Sequence, residues 1–465
     1  MKKSFTAHVQ YVVILCLLYT VPVAVVYMSS TTEYVPSEEM DGIRLAIILL
    51  LAPIFVKYVI QLCAAPFYSL VGRIREEAMG VASDLTVSVL IPAWNEEVGI
   101  LKTVQSVLDT QYKNLEVIVI NDGSTDATDE IMAGFVRDYG LRNHSATVVK
   151  YLSLPNGGKA IALNQGVMIA KGEIIVTIDA DCVMDRKAIA NIVKQFTDKD
   201  VAAVAGNVII GNRCKHIEVM QQLEYLYGFF FKRADSIFNS VYIVGGAAAA
   251  YRKNVLVDLG GFDPRIITED IEMSTRILAS GYKSRYAADA VVYTEGPASW
   301  LGLCNQRLRW KFGRLLTFIK HKTLFFSAEK RHNPYLTLLL LPLAVYAELA
   351  LLLEPLLLAI FYGYMIYTND YFPLVLFITF ISLVIALQIA FDPMSRFHRN
   401  LLILAPVAWI IFYIIDIVEF QALCRSLKRL FKREELKWQT WVRVGLLNHS
   451  SIEPVAQLEV AAESR

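Results

Sequence analysis

Two carboxylates one residue apart close the apolar run Glu173–Asp179, in Ile178-Asp179-Ala180-Asp181. At the carboxyl end of a strand, one of them can hold a ribose or sugar hydroxyl while the other binds a divalent cation bridging a diphosphate. Mg2+ and Mn2+ suit that task, because they take oxygen ligands and leave positions for phosphate. A further acid follows another apolar run, in Asn121-Asp122-Gly123-Ser124-Thr125-Asp126. It can accept hydrogen bonds from a base or ribose, although the same letters also write an ordinary N-capped turn. A third cluster, Thr268-Glu269-Asp270, follows Gly260-Gly261-Phe262-Asp263 and opens a stretch of helical period, Ile271–Ala279. These acids can complement a helix dipole, or one can act as a general base toward an acceptor hydroxyl. Gln306, Arg309 and Trp310 stand at i, i+3 and i+4 and would share one helix face. There an Arg neutralises a departing diphosphate and a Trp stacks on a sugar ring. The competing role is an Arg and a Trp anchored at a membrane interface.

Such groups need a scaffold that brings strand ends together. Thr86–Pro92, Leu115–Asn121 and Glu173–Asp179 are short β-branched runs, separated by the helical-period stretches Glu97–Thr110 and Ala160–Ala170. Strands alternating with helices predict βαβ units and a mostly parallel sheet. Open parallel sheets bind ligands at the carboxyl ends of their strands, where two of the acidic clusters fall. This α/β texture extends over residues 81–325.

The flanks are different in kind. Of 465 residues, 55% are apolar and 19% charged, with 45 basic against 44 acidic side chains; the mean hydropathy is +0.43. So apolar and evenly charged a chain is not intrinsically disordered, and it lacks the basic excess of a nucleic-acid reader. Six scattered cysteines (16, 63, 182, 214, 304 and 424) form no CxxC and no paired spacing, which argues against a disulfide framework or a zinc site. The surplus hydrophobicity sits in Val9–Met28 and Leu45–Ala65, then in Tyr335–Tyr367, Leu374–Phe391 and Leu401–Leu423. Each of the first two is long enough to cross a ~30 Å hydrocarbon core. Val9–Met28 is too long for a signal-peptide core, and a second span follows it at once.

The loop between them carries Glu33, Glu38, Glu39 and Asp41, while basic residues lie at Lys2, Lys3, Arg73 and Arg75. By the positive-inside rule residues 1–70 form a transmembrane hairpin with both flanks cytosolic. Residues 326–424 hold the carboxyl-terminal membrane or interfacial helices, and 425–465 a basic cytosolic tail. Seven basic residues lie between Arg425 and Arg443. A cytosolic tail needs an even number of carboxyl-terminal crossings, whereas three runs are present, so one segment is expected to be re-entrant or doubled. Tyr335–Tyr367 contains Pro342 and Pro355 and reads either as one span after an interfacial helix or as two broken segments. Asp416 and Glu419 are unusual inside a span: functional candidates, or interfacial groups paired with Arg425.

The order Pro92-Ala93-Trp94-Asn95-Glu96, Asp122, Asn156-Gly157-Gly158-Lys159-Ala160, Asp179-x-Asp181, Thr268-Glu269-Asp270 and Gln306-x-x-Arg309-Trp310 resembles glycosyltransferase family 2. More narrowly it is similar to the membrane-embedded inverting β-glycan synthases that make cellulose, chitin, hyaluronan and poly-β-1,6-N-acetylglucosamine. The resemblance covers about residues 86–325 together with the flanking helices. It implies an α/β GT-A (Rossmann-like) glycosyltransferase domain, cytosolic and flanked by transmembrane α-helices, in a multi-pass protein of the plasma or inner membrane. It implies a UDP-sugar donor, UDP-GlcNAc favoured, with Mg2+ or Mn2+, and a growing glycan or a lipid as acceptor. An accessory subunit is a further partner to look for, and nucleic acid is not.

Residue by residue, the resemblance puts Ala93, Glu96 and Asp122 at uracil and ribose, with Lys159 near the nucleotide. Asp179 would face the donor and Asp181 would be the metal ligand. Asp270 would be the catalytic base, with Glu269 beside it. Gln306, Arg309 and Trp310 would hold the diphosphate and the acceptor end, and Gly245 and Gly246 a small-residue loop near the acceptor. Trp94 departs from the usual Tyr or Phe, which changes packing near the base. The implied product is a translocated β-linked polysaccharide. The alternative is one or a few sugars placed on a membrane lipid, because lipid glycosyltransferases carry a similar Arg-Trp element. A scaffold without activity is disfavoured, since every chemically essential letter is present.

Overall fold

The computed structural model describes residues 2–35, 37–80, 84–142, 147–436 and 445–446. Helices α1 (Lys2–Thr31), α2 (Glu38–Ala64) and α3 (Tyr68–Met79) precede the domain. The domain then runs β1 (Val87–Ala93), α4 (Ile100–Leu108), β2 (Leu115–Asp122), α5 (Thr128–Arg142), β3 (Val148–Leu154), α6 (Lys159–Ile169), β4 (Ile174–Thr177), β5 (Val183–Met184), α7 (Ala188–Val193) and β6 (Val201–Ile210). It continues with α8 (His216–Ile237), β7 (Ala249–Arg252), α9 (Lys253–Asp258), α10 (Glu269–Ala279), β8 (Lys283–Thr294) and α11 (Trp300–Lys320). Helices α12 (Leu341–Thr368), α13 (Phe372–Phe391) and α14 (Ala408–Lys432) follow.

The strands build one sheet in the order β3-β2-β1-β4-β7-β6-β8-β5. Its first half is parallel, with Val87 opposite both Leu115 and Ile174. The sheet is mostly parallel, as expected, β6 and β8 included, but its second half is mixed: β7 runs antiparallel to β4 and β6, and β5 antiparallel to β8. The reversal matters to the site. Because β7 is antiparallel, its first residue, Ala249, lies opposite Thr177 at the end of β4. The Gly245-Gly246 turn before β7 therefore reaches the same sheet edge as Asp179.

The continuous apolar character of the strands follows from burial on both faces. Val89, Val117 and Val176 pack on one side with Ile100, Val104 and Met132. Their neighbours Leu90, Ile118 and Ile175 pack on the other with Leu163, Met273 and Ile277.

Among the described residues, four helical segments are long and apolar enough to cross a membrane: Asp41–Met79, Tyr335–Thr368, Phe372–Phe391 and Arg399–Lys432. Leu49, Phe55, Leu356, Leu383 and Ile417 expose large apolar side chains along them, as lipid contact requires. The long run is a single helix, α12, entered through a π-helical turn at Tyr335–Leu340 and continuous through Pro355. At the ends of the helices away from the domain, the Val35 amide donates to the Thr368 carbonyl (2.8 Å), and Arg44 lies 3.8 Å from Asp370. The chain then returns to the domain, where Arg233 donates to the Phe391 carbonyl (2.6 Å) and Arg213 to that of Phe397 (2.9 Å).

The last run leaves the domain again and comes back to it. Its 3-10 segment Arg399–Val407 meets α1 at a hydrogen bond from the Tyr19 hydroxyl to the Ile403 carbonyl (2.6 Å). Helix α14 then packs along α11, and Gly445 donates to Glu295 of the domain (2.9 Å). Both ends of this run therefore face the domain. Most of the tail, residues 437–444 and 447–465, lies outside the described residues.

Candidate active site

The loops at the ends of β1 and β2 clamp each other. Ala93 ends β1, fully buried, and the next turn needs a left-handed Asn95 (φ 57°). Asn95 accepts from the Thr125 amide (2.8 Å), and the Glu96 amide donates to the Thr128 hydroxyl (2.9 Å). Asp122 accepts from the amides of Gly157 (2.8 Å) and Gly158 (2.9 Å). Burial raises its pKa against the pull of those two amides. Gly123 sits at φ 67° with the Asn156 amide 2.5 Å from where a Cβ would stand, so only glycine fits. In this structure the Asp122 carboxylate holds the 156–158 turn that starts α6 and delivers its first residue, Lys159.

The Lys159 ammonium lies 2.5 Å from Asp179 and 3.2 Å from Glu269. Burial opposes its charge, but Asp179, Glu269 and Asp270 outweigh that and hold it above the usual lysine range. Burial lifts Glu269 to about 6, with Lys159 acting in the opposite direction. Asp270, in the first turn of α10, accepts from the Gly246 amide (2.7 Å) and from the Ile271 amide (2.8 Å). A Cβ on Gly246 would stand 2.9 Å from the Lys159 ammonium, 3.5 Å from Asp270 and 3.8 Å from Asp179. Groups from α6, β4, β7 and α10 thus converge on one backbone point.

Asp181 stands on the next turn and accepts from the Cys182 thiol (3.3 Å). With Glu96 and Glu295 it lines a narrow cleft that also includes Gly445 and Leu446. Among the described residues no three His, Cys, Asp or Glu side chains converge as a metal cage. A cation at Asp181 would take the rest of its ligands from a diphosphate and water, a donor set that fits Mg2+ or Mn2+.

Helix α11 differs from the sequence expectation in which face does what. Gln306 is buried with its side-chain oxygen lacking a hydrogen-bond partner, while Arg309 and Trp310 are half-buried. The buried arginine is Arg307, 1% exposed, which pairs with Glu224 (2.6 Å) and Glu419 (3.2 Å) and lies 4.2 Å from the Trp310 ring. Lys311 bridges Glu348 (2.7 Å) and Glu419 (2.9 Å), and Arg314 pairs with Glu348. Glu419 is therefore neutralised from α11, while Arg425 donates to Gln421 (3.2 Å). The signal for this network was present in the sequence as Arg307, Lys311 and Arg314 at i, i+4 and i+7. Gly313 permits the close approach of α11 to α10, since a Cβ there would meet the Thr268 hydroxyl at 2.1 Å.

Glu272 anchors the same helix pair. It is fully buried among Arg276, Lys320 (2.6 Å) and His321 (3.0 Å). Burial would raise its pKa, but His321, Arg276 and Lys320 together lower it from 4.5 to about 2. A depressed carboxylate stabilises the fold above its unfolded pKa and stops doing so as pH falls through its folded one. The protein should lose about 3 kcal/mol from this group between pH ~5 and ~2. Melting midpoints recorded across that range will show the loss, and Glu272→Gln should be less stable at neutral pH with a flatter acid limb.

Residues 88–260 match the sequence model of Glycosyl transferase family 2. Over 247 residues, 52% of this chain, it is 32% identical to the poly-beta-1,6-N-acetyl-D-glucosamine synthase of Staphylococcus aureus strain COL. Over 231 residues, 49% of this chain, it is 34% identical to the synthase of the same name from Staphylococcus epidermidis strain RP62A. The alignments span 57% and 54% of those relatives, so the chain matches little more than half of their length. In fold it is similar to a mannosyltransferase of Pyrobaculum calidifontis, solved with GDP-Man and Mn2+. The TM-score is 0.53 at 20% identity, covering 84% of this chain and 99% of the other.

Proposed function

We propose that this chain, which carries a glycosyl transferase family 2 domain over residues 88–260, is a membrane-bound inverting hexosyltransferase. It polymerises a β-linked polysaccharide from a UDP-sugar, with UDP-GlcNAc first among donors, and passes the product through its helices. Two relatives named as poly-beta-1,6-N-acetyl-D-glucosamine synthases support the product and its sugar. The observation that carries the reading is the convergence of Lys159, Asp179 and Asp270 on Gly246, with Glu269 paired to Lys159.

Asp270 takes the proton of the acceptor hydroxyl as its oxygen bonds to the sugar's C1. On the opposite face the C1–O bond to the diphosphate breaks, its electron pair leaves with UDP, and the configuration inverts. Lys159 places fixed positive charge where that diphosphate charge builds. A divalent cation, held by Asp181, would supply further neutralisation of the leaving group. Ala93, Glu96 and Asp122 border the nucleoside, with Asp122 acting through the loop it holds. Gln306, Arg309 and Trp310 face the diphosphate and the acceptor end. Basic residues at the domain ends of the first helices, Lys2, Lys3, Arg73 and Arg75, favour a cytosolic catalytic domain.

The test is an assay of the full chain in nanodiscs with Mg2+ or Mn2+ and radiolabelled UDP-GlcNAc, UDP-Glc, UDP-GlcA and UDP-Gal in turn. A long polymer from one donor is the expected product. A short product that extracts with lipid would replace polymerisation by lipid glycosylation, and no UDP release from any donor would overturn the transferase reading.

A further inference from the structure

Tyr225, Phe229 and Lys232 stand at i, i+4 and i+7 on α8 and share one face. The Trp310 ring of α11 lies 6.4 Å from Tyr225, Tyr225 and Phe229 stack at 5.8 Å, and the Lys232 ammonium is 4.0 Å from the Phe229 ring. This ladder of three rings and an ammonium connects the two halves of the site. Tyr225 lies within electrostatic reach of Asp181, and Lys232 within reach of Asp270.

Lys232 differs from the other lysines of this region. Lys159 and Lys311 each hold two carboxylates, whereas the Lys232 ammonium has no hydrogen bond or ion pair among the described residues. The acid one turn along, Asp235, is engaged by Gln61 (2.8 Å) and by the Tyr335 hydroxyl (2.8 Å). Burial brings Lys232 down to about 8, although Asp235 and Asp270 act in the opposite direction. A half-buried ammonium that no carboxylate pairs with, within electrostatic reach of a candidate base, is free to donate to a ligand rich in acceptor oxygens. A sugar stacked along the aromatic ladder offers such oxygens in its hydroxyl and acyl groups.

We propose that Lys232 is an acceptor-positioning residue, whose ammonium donates to a hydroxyl or acyl oxygen of the acceptor's terminal sugar and so turns the attacking hydroxyl toward Asp270. The assignment rests on the glycosyl-transfer reading above and adds the group that favours a sugar over water as acceptor.

The experiment uses the full chain in nanodiscs with UDP-GlcNAc and a β-linked N-acetylglucosamine pentamer as acceptor. Transfer to the pentamer and UDP release by hydrolysis are measured side by side. In Lys232→Met the transfer-to-hydrolysis ratio should fall at least 10-fold while donor KM changes less than about twofold. Lys232→Arg, which keeps the charge and the donors, should recover to within about threefold of wild type. Because the half-buried Lys232 ammonium makes no hydrogen bond or ion pair among the described residues, the melting midpoint of Lys232→Met should stay within about 2 °C of wild type. If Lys232→Met does not fold, Lys232→Gln is put through the same comparison. An unchanged ratio in a transferring wild-type background overturns this assignment alone. So does a lost ratio accompanied by a lowered midpoint that Arg does not rescue, since that marks a structural lysine. A wild-type chain that releases no UDP from any donor overturns the transferase reading and this assignment with it.

Discussion

Asp270→Asn is expected to keep UDP binding within about threefold while lowering transfer by roughly 10^2–10^4. The substitution is nearly isosteric. One Asn oxygen can still accept from the Gly246 amide, which Asp270 does now at 2.7 Å, so the 244–248 loop should stay in place, while the Ile271 amide in the first turn of α10 gives up its side-chain acceptor. What is lost is a group able to take a proton, a term worth roughly 10^2–10^4 in rate. Glu269 cannot replace it. Its carboxyl is fixed toward Lys159 at 3.2 Å and, lifted to about 6 by burial, is a different base in a different place. Calorimetry of UDP binding and single-turnover transfer on one preparation will separate the two effects. Transfer near the wild-type rate would remove Asp270 from the base role, and a parallel loss of UDP binding would make it a donor-site residue.

The alternation of short β-branched runs with helical stretches foretold β1, β2 and β4 to within about two residues, because strands buried on both faces must be apolar throughout. It could not foretell β7. Four residues, Ala-Ala-Tyr-Arg, carry no period, and their reversal is decided by how the 238–248 loop leaves α8. Yet that reversal is what sets Gly246 against Asp179 and Asp270. The acids of the site were legible one by one, since a carboxylate at a strand end or helix start has few uses. Their coupling through Lys159, which joins Asp179 to Glu269 across 90 residues of sequence, depends on tertiary placement alone. Helix α11 shows the same limit. The spacing of Gln306, Arg309 and Trp310 correctly puts them on one helix, but it says nothing of which neighbour each turn meets. Arg307 and Lys311 acquire their role only because α8, α12 and α14 present Glu224, Glu348 and Glu419 there. The fifth apolar run likewise counts as a span by length, and only its two attachments to the domain reveal the return.

Two of the three arginines of α11, Arg307 and Arg309, should separate stability from chemistry. Arg307→Met is expected to destabilise the protein by about 3–5 kcal/mol, because it leaves two carboxylates, Glu224 at 2.6 Å and Glu419 at 3.2 Å, without their cation in a water-poor contact. Lys311 still reaches Glu419 at 2.9 Å, so Glu224 should suffer most. Adding Glu224→Gln to Arg307→Met should therefore recover a good part of the loss, whereas Glu224→Gln alone should be costly, since it strands part of the Arg307 charge. That non-additivity is the signature of a buried pair and is read from melting midpoints of the four proteins in one lipid composition. Arg309→Met should instead leave the midpoint nearly unchanged and lower transfer, as befits a half-buried residue proposed to face the diphosphate. If Arg307→Met keeps the wild-type midpoint and loses only activity, the charge network belongs to the reaction rather than to the joint between the domain and its helices. The Trp310 ring, 4.2 Å from Arg307, would be the contact through which it acts.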